Sequence, residues 1–331
     1  MPYMAEMNRT FDIGAGAVVI RKGISDIKLL DDVTSELNNI IEHEKTEYAG
    51  KGDHFSAAGA NSRIWNSHEK LCMKSPELYA RYNANSIVRR LSESWLGTGY
   101  QITMQANVVH PSGKAQSPHR DYHMGFQGVE QLQEYPATQH QVSAHLTLQG
   151  AIAHSDMPIE SGPTKLLPYS QSYLPGYMAI HSDEFKAYFE SNYQQLSLDK
   201  GDMLFFNPAT FHAAGDNNTQ DIHRFANLLQ VGSAYGRSIE IVDRARISKA
   251  VYPTLLSMKQ AEALTEFDID TVVAATAEGY PFPANLDVDS PLTGMAPPSQ
   301  QDIMRDALCK GLSLDDFVAE LDDQQSRKRS H

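Results

Sequence analysis

Cysteine is scarce in this chain. Only two occur in 331 residues, Cys72 and Cys309. They lie far apart, which excludes a cysteine-based metal cluster and a disulfide scaffold. Reduced thiols and a cytoplasmic location are the expectation. Basic charge is also short: 28 Lys and Arg stand against 41 Asp and Glu, a net charge of −13. A nucleic-acid partner is therefore not expected, because phosphates demand clustered cations. The short basic run Arg327-Lys328-Arg329 reads as a disordered end. No apolar run approaches the roughly eighteen residues of a membrane span. The N-terminus has no basic segment followed by an apolar core, so no signal peptide is expected. Neither a membrane nor nucleic acid is a predicted partner; a small molecule is. The sequence leaves oligomeric state open.

What is present describes an ordinary globular protein, 41% hydrophobic and 21% charged. Helical periodicity over 26–47 and 76–96 predicts two helices near the start. Residues 13–20 read as an entry strand and 48–61 as a Gly-rich loop. Period-two alternation predicts strands over 100–109 and 141–150. Shorter strands follow at 164–168, 203–207 and 224–231, with a helix over 183–193. Composition shifts near 238, where helices at 248–264 and 300–321 flank an irregular Pro-rich stretch, 281–298. Two units are expected, residues 1–237 and a helical C-terminal extension over 238–331 packed on the same domain. In the two alternating strands one face is polar. Gln105, Asn107, His145 and Thr147 are expected to line a wet pocket inside a closing sheet, against the simpler reading of a wet outer face.

The chemistry concentrates in His119-Arg120-Asp121. In extended backbone, residues two apart point to one side, so an imidazole and a carboxylate converge. Two further H-x-D pairs exist, His154/Asp156 and His181/Asp183. Taken singly, each such pair reads best as surface polarity, and Asp183 reads as a helix cap. The first pair differs in its company. His212 follows a buried strand and can supply a third ligand from elsewhere in the sheet. Two His and one carboxylate on one face of a metal suit Fe(II) and leave positions open for a co-substrate and O2. Arg224 lies one strand turn beyond His212, where its planar guanidinium can grip the far carboxylate of a 2-oxo acid. His123 borders this region. Arg120 and Lys165 read as surface charges.

The whole order then resembles one family. It runs His119-x-Asp121, Glu160-Ser161-Gly162-Pro163 with Leu167-Pro168-x-Ser170, Gly201-Asp202-Met203-Leu204-Phe205-Phe206, His212-x-x-Gly215, and Arg224-x-x-Asn227-Leu228. This looks like the phytanoyl-CoA dioxygenase family of Fe(II)- and 2-oxoglutarate-dependent oxygenases. The resemblance covers about residues 100–232. It implies a mainly β fold with flanking helices around a double-stranded β-helix, a jelly-roll of cupin-like form. It also implies iron at His119, Asp121 and His212, with 2-oxoglutarate held by Arg224 and O2 as oxidant. The expected activity is hydroxylation of a small organic substrate with release of succinate and CO2. The competing expectations are a metal-binding jelly roll without catalysis, acting as a sensor or a degenerate enzyme, and a zinc hydrolase. Where many relatives have Gly-Ser-His, this chain has Tyr169-Ser170-Gln171, and residues from about 238 match no motif.

Overall fold

The computed structural model describes residues 2–47, 61–290 and 296–330. The loop expected over 48–61 lies, apart from Asn61, outside the described residues, as does part of the Pro-rich stretch.

Nine strands are present among the described residues. They are β1 (Ala17–Ile20), β2 (Asn61–Ile64), β3 (Gln101–Val109), β4 (Thr147–Ala153), β5 (Lys165–Leu166), β6 (Gln194–Gln195), β7 (Met203–Phe206), β8 (His212–Ala213) and β9 (Arg224–Gly232). Six form an antiparallel sheet in the order β1-β7-β4-β9-β3-β2, and three form a second sheet in the order β6-β5-β8. The chain passes repeatedly between the two sheets, and one cavity takes side chains from both.

The alternation in β3 and β9 decides what each face does. Ile102, Met104, Ala106 and Val108 pack with Phe225, Leu229 and Val231 into the main hydrophobic cluster. Gln105, Asn107 and Val109, with Arg224, Ala226, Leu228 and Gln230, face the cavity. Helices cover the apolar face. Ile27–Glu47 contributes Leu30, Val33 and Leu37, and Pro76–Asn83 contributes Tyr79. The C-terminal helices Arg244–Gln260, Glu266–Thr276, Gln300–Lys310 and Leu314–Arg327 add Val251, Tyr252, Val273, Met304 and Phe317 to the same cluster. Tyr252 stacks on Phe317 at 4.2 Å between ring centroids. Arg244 is buried and donates to the Ala275 and Ile102 carbonyls, tying this layer to β3.

The expectation of a mainly β chain is overturned. Helix amounts to 45% and strand to 15%. The sheet exposes a long apolar face on one side only, and short strands cannot bury it by themselves. A thick helical layer does so instead.

Other expected elements differ too: the helix expected over 300–321 is two, Gln300–Lys310 and Leu314–Arg327, parted at Gly311. The segment expected as one helix over 76–96 is two, Pro76–Asn83 and Ser86–Leu96. Asn85 interrupts it, its side chain accepting from the Ile87 and Val88 amides as an N-cap. The strand expected over 141–150 begins only at Thr147, because Ala137–Ser143 is helical behind Pro136. A few residues of alternation do not distinguish the two periods.

Two histidines are buried in the helical layer as neutral rings. His154 bonds Tyr82 Oη at 2.9 Å and Thr34 Oγ1 at 2.8 Å. His68 bonds Tyr79 Oη at 2.9 Å and the Ala275 carbonyl at 3.1 Å. Burial pushes each down to about 3. The unfolded chain takes up a proton at each near its ordinary value, while the folded chain resists until far lower pH. Stability therefore falls as pH drops below about 6.5, by about 1.4 kcal/mol per pH unit for each ring. Urea unfolding between pH 4.5 and 6 should give a steep slope against pH. His154→Gln should remove roughly half of the contribution of these two rings. An unchanged slope would contradict the assignment.

Candidate active site

Residues 110–121 leave β3 and run alongside β8. The His119 amide donates to the His212 carbonyl at 2.9 Å, and the His212 amide donates back at 3.1 Å. This one bridge places the two imidazoles side by side, with centroids 4.4 Å apart. The Asp121 amide donates to the Pro208 carbonyl at 3.1 Å, which fixes the carboxylate on the same side as His119. His119 Nε2 lies 3.5 Å from Asp121 Oδ1, and His212 Nε2 lies 3.4 Å from Asp121 Oδ2. One donor atom from each residue falls within 4.8 Å of the others.

The two rings are oriented by the same device. His119 Nδ1 bonds the Ser117 carbonyl, and His212 Nδ1 bonds the Thr210 carbonyl, both at 2.8 Å. Each Nδ1 therefore carries its proton, and each Nε2 presents a lone pair to the shared point. Burial lowers the His119 value. Burial works against the Asp121 charge, but His119, His212 and Gln149 outweigh it and hold the carboxyl well below the usual carboxylate range. Gln149 Nε2 donates to Asp121 Oδ2 at 2.5 Å. Two neutral imidazoles and one carboxylate, converging with open space beside them, fit Fe(II).

The backbone just after Asp121 is strained. Tyr122 and His123 adopt φ of 74° and 40°. Such non-glycine conformations cost of order 1–3 kcal/mol each and persist where surrounding structure over-determines them. Gly125 permits the tight return, since a Cβ there would collide with the Arg120 carbonyl.

Arg120 is not the surface charge that the sequence suggested; it is 2% exposed. It points away from the two ligands that flank it. Its Nη2 donates to the Ser170 and Tyr173 carbonyls, and its guanidinium lies over the rings of Phe211 and Tyr177. Gly176 leaves room for it. Ser170 Oγ in turn accepts from the Phe211 amide, next to His212. One side chain thus ties together the segments that carry His119, Asp121 and His212. Arg120→Met should weaken metal binding by about tenfold or more, the usual scale for a support behind metal ligands. A Mn(II) titration of the apoprotein reads it, with Arg120→Lys recovering part. Unchanged affinity in a folded Arg120→Met protein would contradict the role. Lys165 is likewise buried, paired with Glu190 at 2.9 Å.

His119, Asp121 and His212 open onto a cavity of about 480 Å³. Arg224 lies in its wall, 7% exposed. It donates to the Ser161 carbonyl at 2.7 Å and more weakly to Gly215. Burial pushes it down to about 10, and no carboxylate pairs with it among the described residues. The turn beneath it depends on Gly162, at φ 73°, where a Cβ would collide with Gly215 and Asp216. Lys114 lines the same cavity, also without an acidic partner among the described residues.

The structure divides the other expected lining residues. Gln105 and Asn107 face the cavity. Thr147 is fully buried but lies outside the lining. His145 precedes β4 and is exposed, stacked on Trp95 at 5.3 Å and 3.6 Å from Asp12. It lies outside the lining because the polypeptide is not yet extended there. His154 lies in the helical layer, and Asp156 accepts from the Lys200 amide. Ser182, not Asp183, caps Asp183–Asn192, and His181 is exposed. Sequence reasoning gave Gln149 no role, although it shares the parity of the pocket-facing positions. Gln230 was missed in the same way. Nothing in the sequence marks Arg120 as a brace.

The model of the phytanoyl-CoA dioxygenase (PhyH) family matches residues 14–226, well over half of the chain. No curated protein matches. Among solved structures, the non-heme alpha ketoglutarate dependent carbocyclase SnoK from nogalamycin biosynthesis is similar. It has 17% identity and a TM-score of 0.50, over 75% of this chain and 90% of that one. The epimerase SnoN, in complex with Fe3+, alpha ketoglutarate and nogalamycin RO, is 14% identical with a TM-score of 0.48, over 71% of this chain and 85% of that one.

Proposed function

We infer the function from one premise: the chain belongs to the phytanoyl-CoA dioxygenase family and is an Fe(II)- and 2-oxoglutarate-dependent dioxygenase. We propose that it hydroxylates a small organic substrate, with succinate and CO2 released. We read the winding between the two sheets as a double-stranded β-helix. Residues 1–237 form the oxygenase unit in this reading, and 238–331 a helical extension packed behind it. No helix among the described residues is long and apolar enough to cross a membrane; with two free cysteines, we place the protein in the cytoplasm.

The observation that carries this reading is the convergence of His119, Asp121 and His212 beside a buried Arg224 that has no acidic partner among the described residues. In the proposed roles, His119 and His212 hold the metal through Nε2, and Asp121 completes the set. Arg224 takes the far carboxylate of 2-oxoglutarate, replacing a missing counter-charge inside the wall. Gln105 and Asn107 contribute hydrogen bonds to the bound molecules. Bound Fe(II) with 2-oxoglutarate and O2 supplies an oxidant able to take hydrogen from a C–H bond and return oxygen. The protein orients the substrate over the ligands and keeps bulk water from the cavity.

Asp121 also bears on the product. With a carboxylate among the ligands, no position is reserved for halide. Turnover under labelled O2 should place one labelled oxygen in the hydroxylated product and yield no chlorinated product in chloride buffer. Chlorine in the product, or hydroxyl oxygen drawn wholly from water, would overturn this reading.

A further inference from the structure

We propose that the prime substrate is a small neutral molecule carrying hydroxyl or amide N–H groups, held by a ladder of buried carboxamides. A carboxylic acid or an alkyl chain does not suit this site. The inference deepens the dioxygenase reading and rests on it.

The ladder comprises Gln105 and Asn107 on β3, Gln149 on β4 and Gln230 on β9, three neighbouring strands. Gln230 stands opposite Gln149 in the β4–β9 register. Their exposures are 2%, 9%, 4% and 8%. Asn107 Oδ1, Gln149 Oε1 and Gln230 Oε1 are buried with no partner among the described residues, while the Gln105 amide faces the Glu240 carboxylate. Native proteins rarely leave such atoms unpaired, and three around one cavity point to a ligand that pairs them.

All three are acceptors, so the ligand must donate to them. Gln149 spends its amide on Asp121, so its oxygen must accept from the ligand. Gln105 accepts from Arg63 Nη1 at 3.3 Å and its amide faces Glu240, so it belongs to the wall. A hydroxyl or an N–H group supplies the donor. The Gln149 oxygen belongs to a side chain already bonded to a metal-ligand carboxylate. The donor it meets must therefore sit close to the carbon that reacts. The favoured target is a C–H bond near a hydroxyl or N–H group.

Charge supports the neutral choice. Among the described residues Arg224 and Lys114 lack acidic partners, and 2-oxoglutarate brings the anions that suit them. On the β2 side of the cavity, Arg63 already faces Glu240. Glu240 also accepts from the Asn66 amide. Among the described residues a second anion would find no free cation there. An alkyl chain would leave the three carboxamide oxygens unpaired in a dry site.

The test uses calorimetry on the wild-type protein, alone and with Mn(II) and 2-oxoglutarate. The probes are methyl glucoside, uridine and a cyclic dipeptide, set against glucuronate, uridine monophosphate and octanoate. At least one neutral probe should bind tenfold or more tighter than every acid. Asn107→Leu and Gln230→Leu should each weaken that probe about tenfold, with Asn107→Ala and Gln230→Met as substitutes if leucine prevents folding. Tighter binding by any acid, no binding by all three neutral probes, or unchanged affinity in both variants would overturn the proposal. Mn(II) and 2-oxoglutarate affinities are measured first on the same protein. If those fail, the dioxygenase reading fails, and the ranking of neutral probes over acids is still read on the protein alone.

Discussion

His212→Ala is expected to lose nearly all metal binding and all 2-oxoglutarate turnover. The argument begins with the count of donors. Three protein groups converge, and among the described residues no other histidine or acid joins them. Removing one leaves His119 and Asp121, a pair with no geometric advantage over many surface sites. The two imidazoles are also coupled through the backbone, since each residue donates its amide to the other's carbonyl. The alanine backbone keeps that bridge, so the fold should survive while the donor is lost. His119→Ala should behave alike. His154→Ala should keep its metal, because that ring lies among Tyr82 and Thr34 in the helical layer. Metal content after dialysis against Mn(II) distinguishes the three. Retained metal in His212→Ala would place the site elsewhere.

Arg224→Ala should leave the metal bound and weaken 2-oxoglutarate by one to two decades. A hydrogen bond to a charged group contributes about 1.5–3 kcal/mol, and 1.4 kcal/mol is tenfold in affinity. The buried setting places Arg224 toward the upper part of that range, because burial raises the cost of leaving an anion unpaired. Arg224→Lys should recover only part. A lysine cannot reach the Ser161 carbonyl and the ligand together with the same planar fork. Calorimetry with 2-oxoglutarate on the Mn(II)-loaded variant measures this. An unchanged dissociation constant would move the anchor to Lys114 or another donor.

The convergence of His119, Asp121 and His212 was legible because its geometry is local. A spacing of two in extended chain puts His119 and Asp121 on one side, and a buried strand ahead of His212 limits where that ring can point. The parity of β3 made Gln105 and Asn107 legible for the same reason. His145 was misplaced because helix and strand periods cannot be separated over so short a run, whereas Thr147 is the first residue of β4 and lies beyond the cavity lining. Pro136 was the available signal that a helix intervenes. The C-terminal helix Glu266–Thr276 was missed although Thr265 and Asp268 form a capping box. Its second half, Val272, Val273, Ala274 and Ala275, gives no amphipathic stripe, since it is apolar and buried on nearly every side. Arg120 was beyond reach of the sequence. Its partners are backbone carbonyls and rings some fifty residues away, which only the fold brings together.

The central claim is that His119, Asp121 and His212 form the metal site of a 2-oxoglutarate-consuming dioxygenase. The most direct measurement is succinate formation from 2-oxoglutarate under labelled O2, with and without Fe(II), in the wild-type protein and in His212→Ala. The expected result is slow Fe(II)-dependent turnover in the wild type, one labelled oxygen in each succinate, and no turnover in the variant. Unlabelled succinate, turnover without Fe(II), or equal turnover in His212→Ala would contradict it.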